Sequence, residues 1–154
     1  MNVQVESALN ELLNAELWSS GLHLQVQAYL EKEGMPVLAS WMNLQARKKS
    51  ERFRKLAELV LRGGGRVAVR ASVWEHTGWQ SPLEAFDALL GHERYMRRLA
   101  GSLRKLAYYS GEDVCGEAQL LYEDEMDIGR MLLEFIRMLA REGGRRLPFD
   151  VRNN

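Results

Sequence analysis

"GGGRVAVRASVWEHTGWQ", Gly63 to Gln80, is the stretch on which the fold turns. It has no helical period, yet long helical patterns flank it on both sides. A connection of about eighteen residues without structure of its own is uncommon inside a compact domain and normally has a topological reason. The three glycines end the pattern before it. Directly after it, Ser81-Pro82-Leu83-Glu84 is a strong helix start, with Ser81 as N-cap, Pro82 as first helical residue and Glu84 as the reciprocal capping partner.

Working outward, the spacing predicts a first helix from about Gln4 to Glu33, closed by Gly34. Pro36 opens a second, which runs to about Arg62. Beyond Ser81 the third reaches about Tyr109, and Ser110 to Asp113 lead into a fourth, from about Asp113 to Glu142. At about 1.5 Å per residue, helices of roughly 27 to 30 residues are each roughly 40 to 45 Å long. Short turns make helices 1 and 2, and likewise 3 and 4, antiparallel hairpins. The middle connection is long enough to run the length of the bundle. The predicted fold is therefore all-α, a four-helix bundle with one long crossover between helices 2 and 3. It covers residues 1–143, with 144–154 as a short C-terminal tail.

The composition is that of an ordinary soluble domain, 46% apolar and 27% charged. Lys plus Arg and Asp plus Glu both total 21, so no global charge argues for nucleic acid or an anionic membrane. One cysteine, Cys115, excludes an internal disulfide and a cysteine-rich zinc site. The opening carries no secretory pattern and no apolar run approaches a membrane span, so a cytoplasmic location is expected.

Charges interrupt the inward stripes of all four helices. Glu16 and His23 alternate with Leu9 and Leu30 at steps of seven. Lys49 and Arg52 lie on the stripe that holds Leu38, Trp41, Gln45, Leu56 and Leu59. Glu93 sits among Phe86, Leu90, Ala100 and Leu103, and Glu125 among Ala118, Leu121, Ile128 and Leu132. By helix length these charges fall near one level of the bundle. Buried charges must pair or coordinate, because an isolated one costs several kcal/mol. Arg52 and His23 have a second option, since a long or edge-placed side chain can reach water.

Two segments carry a family resemblance. "LNAELWSSGLHLQVQAYLEKEGMPVLASWMNLQA" (Leu13 to Ala46) and "RGGGRVAVRASVWEHTGWQSPLEAFDALLGHE" (Arg62 to Glu93) resemble the bacterial non-haem ferritins. The resemblance extends over about residues 5 to 142. It implies that Glu16 and Glu93 stand at iron-ligand positions of a ferroxidase centre, with His23 where the family has an aromatic hydroxyl and Asp124 and Glu125 where it has Glu-Gln. It also shows a departure. The family's second helix carries Glu-x-x-His where this chain has Lys49 and Arg52, and Ile128 stands where a further glutamate is found.

Lys49 and Arg52 are expected to pair with Glu16 and Glu93, closing the site. A residual iron site of His23, Glu16 and Glu93 is the competing expectation, with Glu125 a further candidate ligand. No haem is expected, because the position of the haem-binding methionine in bacterioferritins is Ser50. After Gly143 the tail, with Pro148, is too short for a normal fifth helix, which is expected to be absent or vestigial. The resemblance implies a cage-forming iron-storage subunit without its own ferroxidase centre, homo-oligomeric or mixed with an active ferritin subunit. It would hold no tightly bound cofactor, only iron as stored mineral. The alternative is a ferritin-fold scaffolding or binding protein without an iron role, using Trp18, Trp41, Trp74 and Trp79 as association surfaces.

Overall fold

A computed structural model of the chain describes residues 1–70, 78–144, 147 and 149. Four helices make up the fold: α1 (Val3–Lys32), α2 (Pro36–Arg62), α3 (Pro82–Ser110) and α4 (Cys115–Arg141). No strand occurs among the described residues.

Local chemistry sets the helix ends. Asn2 Oδ1 accepts the N–H groups of Gln4 and Val5, which frees α1 of two orphan donors. The two tight turns need left-handed backbone, supplied by Gly34 (φ 76°) and Gly111 (φ 69°). Ser81 Oγ caps α3 by accepting the Glu84 N–H at 3.2 Å. The reciprocal bond is displaced by one residue from the expected box, with Glu84 Oε2 accepting the N–H of Gln80, not of Ser81. α4 begins at Cys115, behind Val114, two residues later than the spacing predicts, and no side chain caps it.

The helices form an open ring in cross-section. α1 packs against both α2 and α3, and α3 packs against α4. Between α2 and α4 no pair of described Cα atoms comes within 8 Å. The apolar core is split in two. One cluster gathers Leu22, Leu30, Leu38, Phe86, Leu132 and Leu139 near the α1–α2 turn. The other gathers Leu9, Leu13, Leu56, Met96 and Leu103 near the α3–α4 turn. Three of the tryptophans are used inside the chain: Trp41 meets Phe135, Trp79 meets Tyr29, and Trp18 lies against His92. Trp74 lies outside the described residues.

The crossover's first residues are fastened to α1 by a ladder of side chains. Glu6 Oε1 accepts the N–H of Arg66. Asn10 Nδ2 donates to the carbonyl of Arg66 while its Oδ1 accepts the N–H of Ala68. Asn14 repeats the pattern on Ala68 and Arg70. An asparagine amide presents the donor and acceptor of a peptide group, so three residues at steps of four serve an extended segment as a neighbouring strand would. Replacing Asn10 and Asn14 together by alanine removes four of these bonds. At the low end of about 0.5 kcal/mol each for exposed bonds, the loss is about 2 kcal/mol. That corresponds to a melting temperature lower by about 4–8 °C. Faster amide exchange at Ala68 and Arg70 should accompany it.

No helix among the described residues is long and apolar enough to cross a membrane. The bundle's last turn closes back on α3, where the carbonyl of Gly144 accepts the N–H of Leu83 at 3.1 Å. Leu147 is buried. Crossover residues 71–77 and tail residues 145, 146, 148 and 150–154 lie outside the described residues, and with them the questions of the crossover's full path and of a fifth helix.

Candidate functional site: a buried ionic layer

Between the two apolar clusters lies a polar layer to which every helix contributes. α1 supplies Glu16, Ser19, Ser20 and His23, and α2 supplies Gln45, Lys49 and Arg52. α3 supplies Glu93, and α4 supplies Glu125 with Asp124 at the rim. Glu16, His23 and Lys49 are 0% exposed, and Glu93 and Glu125 are 1% exposed.

Lys49 is the centre of the layer. Its Nζ donates to both oxygens of Glu125 at 3.0 Å and lies 2.9 Å from Glu93 Oε1 and 3.9 Å from Glu16 Oε2. One ammonium thus faces carboxyl groups from three other helices. Arg52 does not meet Glu16 and Glu93, the partners expected for it. Nη1 donates to Glu125 Oε1 at 3.2 Å, and Nη2 pairs with Asp124. The reason is position. Arg52 is nearly one turn beyond Lys49, at the gap between α2 and α4, where the carboxylates of α4 are the first it encounters. Stripe spacing alone assigns Asp124 no partner, and only its place beside Glu125 in the stretch that resembles the family's Glu-Gln points to it.

His23 is oriented from its own helix. Nδ1 is 2.7 Å from the carbonyl of Ser19, an acceptor only, so Nδ1 carries the proton. Nε2 then presents its lone pair towards Glu93 Oε1, 3.9 Å away. Burial, then the charge of Lys49, lowers the ring's pKa from 6.5 to about 3. The imidazole is neutral, and its contribution to stability is lost as pH falls from 6.5 towards 3. Ser50 gives its hydroxyl to a 2.9 Å contact with Ser20 Oγ.

The carboxyl groups divide into two kinds. For Glu125 burial acts upward, but Lys49 above all, with a hydrogen bond from Glu93 and the charge of Arg52, outweighs it and holds the group at about 2. Burial dominates at Glu16, raising it from 4.5 to about 8 against the opposing pull of Lys49. Burial likewise raises Glu93 well above its ordinary value, with Lys49 again opposing and Glu125 adding to the rise. Lys49 itself is pulled down by burial, yet Glu16, Glu125 and Glu93 more than reverse this and keep it charged. Glu125 is thus the carboxylate that answers the ammonium most firmly, burial favours the protonated form of Glu16 and Glu93, and Asp124 balances Arg52 at the rim.

The raised carboxyl groups give the layer a pH signature. Above about pH 4.5 the unfolded chain releases the Glu16 proton, whereas the folded chain retains it until about pH 8. Stability therefore falls across that window as pH rises. Glu16→Gln removes the loss, so the variant should melt about 10 °C above the parent at pH 8. The two should coincide at pH 4.

The carboxylates that would converge on a metal converge on Lys49, and a divalent ion entering among them would meet like charge. Among the described residues no group of three His, Cys, Asp or Glu side chains is disposed to hold a metal ion.

The model of the ferritin-like domain matches residues 6–115. The chain belongs to the ferritin-like domain family. Bacterial non-heme ferritin of Bacteroides fragilis (strain 638R) is 34% identical over 104 residues, covering 68% of this ferritin-like chain and 65% of that protein. The chain thus spans less than two thirds of the length of that relative. The middle-subunit ferritin of Aquarana catesbeiana is 28% identical over 144 residues, covering 90% of this chain and 81% of its own length. In fold, the open pore ferritin of Archaeoglobus fulgidus superimposes with a TM-score of 0.86 at 24% identity, over 93% of this chain and 89% of that one. The four-helix ferritin fold is established by these likenesses.

Proposed function

We propose that this ferritin-like chain is a cage subunit for iron storage without a ferroxidase centre of its own, Lys49 and Arg52 standing at metal-ligand positions. One observation carries the reading. The Lys49 ammonium lies 2.9–3.9 Å from carboxyl groups of three helices, where a shared metal cation would bind them.

The surroundings support it. A cleft of about 200 Å³ between α3 and α4 leads to Glu93 and Glu125, and Arg94, Arg97 and Arg130 line it. A ferrous ion taking that route would meet positive charge. The acids that could nucleate mineral on α2 and α4 are largely engaged. Glu51 pairs with Arg54, Asp124 with Arg52 and Asp127 with Arg130, while Glu123 accepts from Gln119. Glu58 alone of the five has neither an ion pair nor a side-chain hydrogen bond among the described residues. Such a subunit contributes shell more than chemistry, which suits a mixed assembly with an active ferritin.

Sedimentation combined with ferrous oxidation tests the proposal. The expected result is a large hollow assembly that oxidises ferrous iron no faster than buffer and retains ferric iron when mixed with an active ferritin. Fast, saturable oxidation by the chain alone would overturn the missing centre. A monomer or dimer that never enters an iron-retaining assembly would favour the scaffolding role.

A further inference from the structure

Residues 94–110 of α3 contain five cations and no acid. Arg94, Arg97, Arg98, Arg104 and Lys105 recur at helical steps, so they share one face, about 16 Å long at about 1.5 Å per residue. Elsewhere Arg54 pairs with Glu51, Arg62 with Glu117 and Arg137 with Glu134. Among the described residues, Arg94, Arg97, Arg98 and Lys105 have no carboxylate within 4 Å. A chain with zero formal net charge has therefore concentrated one sign on one surface. The whole-chain balance that argues against nucleic acid averages this out.

The face is also shaped. A groove of about 310 Å³ runs between α3 and α4, lined by Arg97, Arg98, Ser102, Arg104, Lys105 and Tyr122. Gly101 lies in its floor beside the Tyr122 ring. The Arg104 guanidinium lies over that ring, 4.0 Å from its centroid, and is fixed further by Gln119. Arg97 also lines the neighbouring cleft with Arg94 and Arg130, so the cationic surface continues past the groove. Aromatic rings stand in the open along the same helix. Tyr95 is 39% exposed beside Arg98, and Tyr108 and Tyr109 are 74% and 84% exposed at its far end.

We propose that this face of α3 is a groove for single-stranded nucleic acid, bound through its phosphates without sequence preference. Arginine forks match phosphate oxygens, and a row of cations suits a chain of phosphates better than one anion. The exposed tyrosines offer surfaces on which unpaired bases stack. A second copy of the chain is a poor occupant, because an isologous contact would set the same cations against themselves.

Fluorescence anisotropy with a short labelled oligodeoxythymidylate tests the groove. The parent should bind with affinity that falls steeply as salt rises. Arg98→Ala with Lys105→Ala should shallow the log–log salt slope by about 1.4, from about 0.7 per phosphate contact. Tyr108→Ala should weaken binding about tenfold with the slope unchanged, the size expected of one lost stacking contact. Inorganic polyphosphate should not respond to Tyr108→Ala. Arg54→Glu, a charge change away from the groove, should leave oligonucleotide binding as it is. The assignment falls if no salt-dependent binding appears, or if Arg54→Glu weakens it as much as Arg98→Glu. Equal affinity for duplex DNA, or break-up of the assembly in Arg98→Glu with Lys105→Glu, would also overturn it, the last by making the face a subunit contact.

Discussion

Lys49→Met should lose about 3–5 kcal/mol of folding stability, the loss typical when one partner of a buried ion pair is removed. Methionine fills much the same volume, so the loss reports charge and not a cavity. Glu125 would keep Arg52, but Glu93 and Glu16 would lose the cation that opposes their burial. Against a typical total of about 5–15 kcal/mol this is a large fraction. The loss should also depend on pH in a stated direction. Carboxyl groups whose folded pKa is raised destabilise more as pH rises, because only the unfolded chain can then release the proton. Urea titrations should therefore show a larger gap between variant and parent at pH 8 than at pH 5. A gap that is constant with pH would mean that Lys49 acts by packing alone.

Lys49→Glu with Arg52→His should turn the layer into a cation site. The exchange removes two positive charges and adds a negative one among Glu16, Glu93 and Glu125. The metal-free variant should be less stable than the parent by at least the amount lost in Lys49→Met. Divalent metal should restore it, by about 4 kcal/mol at a thousandfold excess over Kd. Calorimetry with ferrous or manganous ion and thermal melts with and without chelator give the two readouts. Were the double variant to bind no more metal than the parent, the placement of Lys49 and Arg52 at metal-ligand positions would be wrong.

Much of the architecture is legible in the chain because each boundary has a chemical mark: Pro36, the glycines after Arg62, and Ser81-Pro82-Leu83-Glu84. Lys49 is legible too, since a lysine on a stripe of Leu and Trp has to find carboxylates. The partners of Arg52 are not. Heptad spacing gives the face of a helix but not the distance to its neighbours, and the separation of α2 from α4 decides which acids Arg52 reaches. The ladder of Glu6, Asn10 and Asn14 is hidden for another reason. Those residues look like an ordinary solvated face, and only the course of residues 66–70 shows that they replace backbone partners. Proton sharing among the glutamates is likewise invisible in sequence, because it depends on burial relative to a single ammonium.

The gap between α2 and α4 gives the molecule one weak margin. Its other seams are closed mostly by hydrocarbon, which is indifferent to protons and little affected by ions in solution. Here Trp41 meets Phe135 towards one end, but the rest of the margin is closed by Lys49, Arg52 and Arg62 reaching across to Glu125, Asp124 and Glu117, over a cleft of about 330 Å³. Strong acid or concentrated electrolyte would thus act on the molecule from one side first, parting the two hairpins as a clasp is undone while their interiors stay dry.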